Sequence, residues 1–366
     1  MNDSNDKPKT RFDFRTFSIL LLISVVPMLA GTWLLFGSYQ NAYLEMVGTS
    51  FSDTAETAFS LVNTYLQNQI ITTAGLTESP LLRATVSTGN LDLKKNLEDV
   101  RRAIPKMEAA WPDLSREALQ VKAILDNPAS QFLRRYTAVN QYYREVLITD
   151  FFGRLVAATA KSPSYYYAHA DWWKETYGEG RRGSVYIGDV YYDTTARTYF
   201  MEIAQPFVDQ DAGVIGVIKV VLDLQGIHAL VGSIQTGSGR SVVLIHAKGD
   251  VISAPGYSSL QQATYPATLD ILNAREKEKK YFISTALPES IYGLTTRSFP
   301  QLYPHLNWIV ATAARVDEIM GPLRQLRTYF IFLLLGVFLL VLIATLLLSQ
   351  VESRPVLEED PHLERL

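Results

Sequence analysis

The chain has 366 residues, 48% of them hydrophobic and 19% charged, with a formal net charge of −3 and no cysteine. This composition excludes disulfide frameworks, zinc–thiolate sites, cysteine nucleophiles and redox pairs, and gives no reason to expect a nucleic-acid partner. A mean hydropathy of +0.04 is high for a soluble protein of this size; the excess sits in two uncharged runs, which argues against a cytosolic enzyme.

The first run, FSILLLISVVPMLAGTWLLF, spans Phe17 to Phe36. It exceeds the roughly 7–15 apolar residues of a secretory signal core and has no small-residue cleavage pattern after it. Trp33 lies near its outer end, where an interfacial aromatic anchors a span. A retained anchor is therefore expected at 17–37. Lys7, Lys9, Arg11 and Arg15 hold the N-terminal segment 1–16 in the cytoplasm. The second run, TYFIFLLLGVFLLVLIATLLLSQV, fills 328–351 and is also long enough to cross about 30 Å of hydrocarbon as a helix. Two crossings from an inside N-terminus place residues 38–327 outside, in the periplasm or beyond the cell, and the acidic tail 352–366 inside. A region of that size buries enough apolar surface to stand without disulfides. The lipid bilayer of the inner (cytoplasmic) membrane is thus the first expected partner.

After the first span, Leu44, Val47, Phe51, Ala55, Ala58, Val62 and Tyr65 recur in steps of three and four, one face of a long helix. That face serves as a packing surface of its own domain and, nearer the membrane, as a seam for a homodimer. The rest of 38–144 reads as short helices broken at Pro105, Pro112 and Pro128. From Val146 the period becomes two. VLITDFFGRLVAAT has the form strand, Asp-x-x-Gly turn, strand, with Gly153 supplying the positive φ. The form returns in SVVLIHAKGDVISAP; aligning Gly153 with Gly249 puts His246 in the slot of Asp150. Each block closes with an apolar strand running into a short helix, VIGVIKVVLDLQGIHAL and WIVATAARVDEIMGPL, in which Asp223 pairs with Asp317. The economical reading is an α+β fold: a long N-terminal helix and two tandem copies of one antiparallel-sheet module, at 145–232 and 238–316, between two transmembrane helices. The REKEKK run in the second module reads as a solvated helix end.

Catalytic patterns are absent. The five histidines, His169, His228, His246, His305 and His362, form no H-x-x-x-H or H-E-x-x-H spacing. GSGRS at 237–241 lacks the ending of a phosphate loop and reads as a linker. There is no nucleophile elbow, and Asp209 and Asp211 in VDQDAG sit where a turn wants Asp and Gly. No cofactor, metal or enzymatic activity is expected.

ITDFFGRLVAAT, SYYYAHADWWKETYGEGRRGSVYIGDVYYD and YFMEIAQPFVDQDAGVIGVIKVVLDL, in that order between two spans, resemble the extracytoplasmic double Cache (dCache) sensor region of bacterial receptors. That fold is similar to tandem PAS modules on a long helix. The resemblance covers about residues 40–315. It implies a transmembrane sensor that takes a small ligand in the membrane-distal module, at 145–232, and passes a change through the membrane-proximal module, at 238–316, into the second span. Carried over position by position, the pocket residues are Tyr165 and Tyr167, then Trp172 and Trp173 on a strand, then Tyr191, Tyr192 and Asp193. Amino-acid-binding members have Arg-x-Trp-Tyr where this chain has Ala170-Asp171-Trp172-Trp173, so their carboxylate-holding arginine is Ala170 here. Their amine-holding aspartate falls near Val221, not on Asp223. The resemblance therefore argues against free amino acids as ligands.

Two ligand classes remain open. Aromatic faces beside Asp171 or Asp193 suit an amine or quaternary ammonium, while Arg181, Arg182 or Arg197 suit a carboxylate. His169 is a further candidate contact, and Tyr166 and Tyr186 read as core filling. Such receptors continue past the second span into a chemotaxis, histidine-kinase or cyclic-dinucleotide output module. A chain stopping at Leu366 reads as a fragment, or as a short receptor whose tail meets a separate cytoplasmic output protein. The alternative is a structural membrane protein of the polysaccharide chain-length-regulator type, which shares the span–domain–span plan but not the repeated module.

Overall fold

A computed structural model of the chain describes residues 14–351, apart from 96, 182, 194, 195, 197, 235–238, 258–262 and 287. Lys7, Lys9, Arg11, the tail with His362, and the arginines at 182 and 197 lie outside the described residues. The chain divides into two units, residues 1–47 with 317–366, and residues 48–316.

The first unit is helical. It holds the N-terminal part of helix α1 (Phe14–Thr77) and, from the other end of the chain, helix α11 (Gly321–Val351). Both are long and apolar enough to cross a membrane, with mean hydropathies of 2.3 and 3.2 over their most apolar stretches. Leu22, Ile23, Leu34, Leu333 and Leu340 stand exposed, as side chains meant for lipid would. Phe36 meets Phe330 edge to face at 6.5 Å, and the Tyr43 hydroxyl donates to the Ile319 carbonyl at 3.0 Å.

The second unit contains the remainder of α1 and two antiparallel sheets. Helices α2 (Pro80–Lys95), α3 (Leu97–Ala110), α4 (Leu119–Leu125) and α5 (Pro128–Val139) lead to strands β1 (Tyr143–Asp150) and β2 (Leu155–Ala158). Helix α6 (Asp171–Tyr177), β3 (Tyr186–Ile187), β4 (Tyr191–Asp193), β5 (Thr198–Val208), β6 (Val214–Asp223) and α7 (Gln225–Ser233) complete the first module. The second comprises β7 (Ser241–His246), β8 (Val251–Ser253), α8 (Thr268–Glu276), β9 (Tyr281–Ser284), β10 (Ser290–Leu294), α9 (Phe299–Leu302) and β11 (Trp308–Arg315). The chain then passes through α10 (Val316–Ile319). Strand orders are β2-β1-β6-β5-β3, with β4 also on β5, and β8-β7-β11-β10-β9. The repeat is therefore real: hairpin, helix-bearing insert, returning strands, and a closing strand laid beside the first.

The predicted hairpins form for the predicted reason. Gly153 and Gly249 hold φ of 89° and 103°. In the first turn the Asp150 carboxylate accepts from the amides of Phe152 and Arg154, both at 2.9 Å, and from Arg154 Nε at 2.7 Å. His246 performs the same task in the second turn, its Nδ1 accepting from the Lys248 amide at 3.0 Å.

Along α1, Phe51, Ala55, Ala58 and Val62 are buried, as the three-and-four spacing predicted. Ala58, Phe59, Val62 and Leu66 share one core with Ile148, Ile203, Ile218 and Val220 of the first sheet and Trp308 and Val310 of the second. Where α1 crosses the second sheet, the approach is backbone to backbone. A Cβ on Gly293 would lie 2.3 Å from the Phe51 carbonyl carbon and 2.4 Å from the Ser52 nitrogen, so only glycine fits there. Two details differ from the sequence reading. Pro105 lies inside α3 rather than breaking it, because one missing amide bond is tolerable in a helix anchored by buried Ile104. The Trp172–Trp173 pair sits on helix α6, not on a strand.

Beside this crossing Glu56 binds the loop before α9. Its carboxylate accepts from Arg297 Nε at 2.7 Å and from the Thr296 hydroxyl at 2.8 Å. Partial burial alone would raise its pKa, but these hydrogen bonds outweigh it and bring the group from 4.5 to about 2. The folded value lies below the unfolded one, so the stabilisation is complete above 4.5 and is lost as pH falls through about 2. Glu56→Gln is expected to cost about 1 kcal/mol at neutral pH after solvent screening. In urea unfolding followed against pH, the gap between variant and wild type should close on acidification.

Candidate functional site

The first sheet has two faces, fixed by register. One carries Val146, Ile148, Ile218 and Val220 against α1 and its neighbours. The other is read from cross-strand pairs, which share a face. Glu145 and Glu202 both pair with Val221, Leu147 and Ala204 both pair with Lys219, and Tyr186 pairs with Ala204. Tyr191 pairs with Phe200, two residues before Glu202 and so on the same face. Glu145, Lys219 and Glu202 therefore meet in the middle of an otherwise apolar sheet, on the face that α4, α6 and the 160–170 loop cover.

Helix α6 forms because Asp171 stands in its first turn, favourable at the positive end of the helix dipole, and Gly178 closes it at φ 55°. Trp172, Trp173 and Thr176 then face inward. Trp173 Nε1 donates to Thr149 Oγ1 at 2.9 Å and its ring stacks on Tyr177 at 4.4 Å. Trp172 lies 5.4 Å from the Tyr167 ring. The Lys219 ammonium sits 5.0 Å from the Trp172 ring centroid and 5.9 Å from that of Tyr167, and donates to Glu202 Oε1 at 2.8 Å. The aromatic cradle therefore already holds a cation, the protein's own.

The surrounding electrostatics are acidic. Burial raises the pKa of Glu145; the charge of Lys219 pulls it back and that of Glu202 raises it further. Burial pushes Tyr167 up to about 12, with the charge of Glu145 contributing. Tyr186 reaches about 12 through burial first and Glu202 next. Tyr191 is raised by burial, Glu202 and Glu145. The charge of Arg144 also acts on Glu145, in the same direction as that of Lys219.

The structure brings together Tyr165, Tyr167, Trp172 and Trp173 in one cluster and places Tyr191 on the same sheet face. Tyr165 packs on Trp111 at 5.5 Å. Asp171 turns outward, 3.6 Å from Lys174 with its side chain 86% exposed. Tyr192 lies on the opposite face against Tyr199, at 5.1 Å, and Asp193 ends β4, accepting from the Ala196 amide at 2.9 Å. Exposed His169 lies beside the ring of Tyr166, at 6.2 Å, and Arg181 is exposed at a bridge to Gly213. Glu145, Lys219 and Glu202 escaped the sequence reading. Their signal was a charged residue inside each of three apolar strands, REVLITD, YFMEIAQPF and VIGVIKVVL.

A segment between the β3 and β4 strands reaches from this site to the second module. Asp189 accepts from Trp308 Nε1 at 2.9 Å and pairs with His246 Nε2 at 2.8 Å. His305 Nε2 pairs with Glu175 of α6 at 2.7 Å and its ring lies 4.9 Å from Tyr186.

Residues 117–229 match the family described as "Methyl-accepting chemotaxis protein-like, first PDC sensor domain". No curated protein matches the chain. Among solved structures, the sensory domain of the Campylobacter jejuni chemoreceptor Tlp3 is similar at 18% identity, covering 72% of this chain and 98% of that one, with a TM-score of 0.41. The ligand-binding domain of the Pseudomonas fluorescens chemoreceptor CtaA, in complex with L-isoleucine, is similar at 14% identity, 77% and 98% coverage, and a TM-score of 0.45. At these values they say nothing about the ligand of this chain.

Proposed function

We propose that this double Cache sensor region binds a small extracytoplasmic ligand bearing an ammonium group, on the inner face of its first module between Glu145, Glu202 and Tyr191. The observation that carries the reading is buried Lys219 beneath the rings of Tyr167 and Trp172, with the half-buried carboxylates of Glu145 and Glu202 beside it. Charged groups in the middle of a sheet are costly unless they are paired or put to use, and a carboxyl such as Glu145, raised by burial beside an ion pair, is a feature that functional sites share. The amine class from the sequence is retained, but the acid partners become Glu145 and Glu202 in place of Asp171 and Asp193. A carboxylate ligand is the second reading, since the Lys219 ammonium lies against the aromatic rings; such a ligand would have to displace Glu202.

The ligand acts only through a difference in affinity between two arrangements. The β3–β4 segment suits that role, carrying Tyr186 and Tyr191 at the site and Asp189 onto β7 and β11 of the second module. Strand β11 leads through α10 into α11, the second apolar helix, which completes a route from ligand to membrane. The chain fits an inner-membrane protein with this region outside.

Calorimetric titration of the full chain in detergent with a panel of primary, quaternary and diamines, and with matched carboxylates, tests the reading. Heat from an amine, weakened at least tenfold by Glu145→Gln, is the expected result. Heat from carboxylates alone would establish the second reading instead.

A further inference from the structure

A cavity of about 500 Å³ opens in the second module between the end of α8 and the loop joining β10 to α9. Its polar wall is basic: Arg275, Lys279 and Lys280 against the single acid Glu278, with Thr296 and Ser298 across from them. The backbone fixes this arrangement. Glu278 takes a left-handed φ of 52°, and the Lys279 amide reaches back to the Ala274 carbonyl at 2.9 Å, closing the helix in the manner usually left to glycine. The Lys280 carbonyl accepts from the Leu294 amide at 2.8 Å, pinning it to the end of β10.

Arg275 is the informative residue. Half-buried, it donates from Nη2 to Ser298 Oγ at 2.7 Å. Among the described residues no carboxylate pairs with it, whereas Arg154 pairs with Asp150 and Lys219 with Glu202. Burial lowers the pKa of Arg275 with nothing opposing it. A guanidinium is a planar, bidentate donor matched to carboxylate and phosphate oxygens, and here it borders a cavity with two ammonium groups and two hydroxyls.

We propose that this cavity is a second ligand site, for a phosphate oxyanion, in the form of a free phosphate or of a lipid phosphate headgroup. It shares no residue with the aromatic site of the first module, so either can fail without the other.

The test uses the full chain in neutral detergent micelles. Inorganic phosphate is titrated against thermal unfolding and by calorimetry, and phosphatidylglycerol is doped into the micelles in a parallel series. Saturable binding of phosphate is expected, weakened at least tenfold in Arg275→Gln, partly restored in Arg275→Lys and unchanged in Lys248→Gln. A response to phosphatidylglycerol alone, with the same dependence on Arg275, would identify the headgroup as the source. If Arg275→Gln fails to fold, the exposed pair Lys279→Gln with Lys280→Gln carries the same prediction. No response to either anion, or responses indifferent to these substitutions, would overturn the site.

Discussion

Replacing Lys219 by methionine is expected to destabilise the protein by about 3 kcal/mol at neutral pH, more than a typical core substitution of similar volume. Methionine fills most of the space and keeps the contact with Trp172 and Tyr167, so the loss is electrostatic. Glu202 forfeits the ammonium that now lies 2.8 Å away, and Glu145 loses the charge that opposes its burial. Two carboxylates then face one another across Val221 with no cation between them. The pH dependence identifies the cause. The folded pKa of Glu145 is already raised and rises further in the variant. A carboxyl with a folded pKa above its unfolded value stabilises fully below the unfolded value and loses that contribution as pH climbs through the folded one. The deficit of Lys219→Met should therefore be largest at pH 7 and shrink toward pH 4. Adding Glu202→Gln should cost less than the two single changes summed, since the pair is coupled. Urea unfolding of the four proteins at both pH values measures this; a deficit indifferent to pH would mean that Lys219 matters for packing alone.

The same triad marks the boundary of what a sequence discloses. The helix face from Leu44 to Tyr65, the two Asp-or-His-to-Gly turns and the strand-to-helix endings are local patterns, each set by residues within a few positions of one another. They were legible and they define the repeat. The aromatic cluster was legible too, as a concentration of Tyr and Trp, although its secondary structure was not: Asp171 and Gly178 are helix signals that family precedent outweighed. What could not be read is register. Glu145, Lys219 and Glu202 converge only because Val221 pairs with both glutamates, and no local pattern fixes which residues of distant strands stand opposite. Asp171 looked like a partner for the aromatics by proximity in sequence, yet a helix directs neighbouring residues to different sides. The carboxylates that face the aromatic cluster, Glu145 and Glu202, come from strands far apart in sequence.

Asp189→Ala is expected to cost a comparable amount, about 3 kcal/mol, by another route. Its two oxygens serve two donors that the second module buries, Trp308 Nε1 and His246 Nε2, in residues 1% and 7% exposed. Because His246 Nδ1 is committed to the Lys248 amide, the proton of the neutral ring must lie on Nε2, pointing at Asp189. Alanine leaves both N–H groups without an acceptor, at about 1–3 kcal/mol each. Asparagine keeps one acceptor oxygen and presents an amide donor to the other partner, so it should recover only part of the loss. The position of Asp189 gives the prediction a second reading. The residue belongs to the first module, between β3 and β4, while its partners begin β11 and end β7 of the second. Amide exchange should thus quicken in β7 and β11 of Asp189→Ala while β1 and β6 hold their protection. Equal quickening in all four strands would show that Asp189 supports the whole domain and does not couple its halves. If the local pattern holds, the residue that stabilises the second module is one that the first module supplies, on the segment whose tyrosines border the proposed ligand. A change at the site then has a defined place to arrive: the position occupied in the first repeat by a turn-capping aspartate has become, in the second, a histidine with one nitrogen free to reach across.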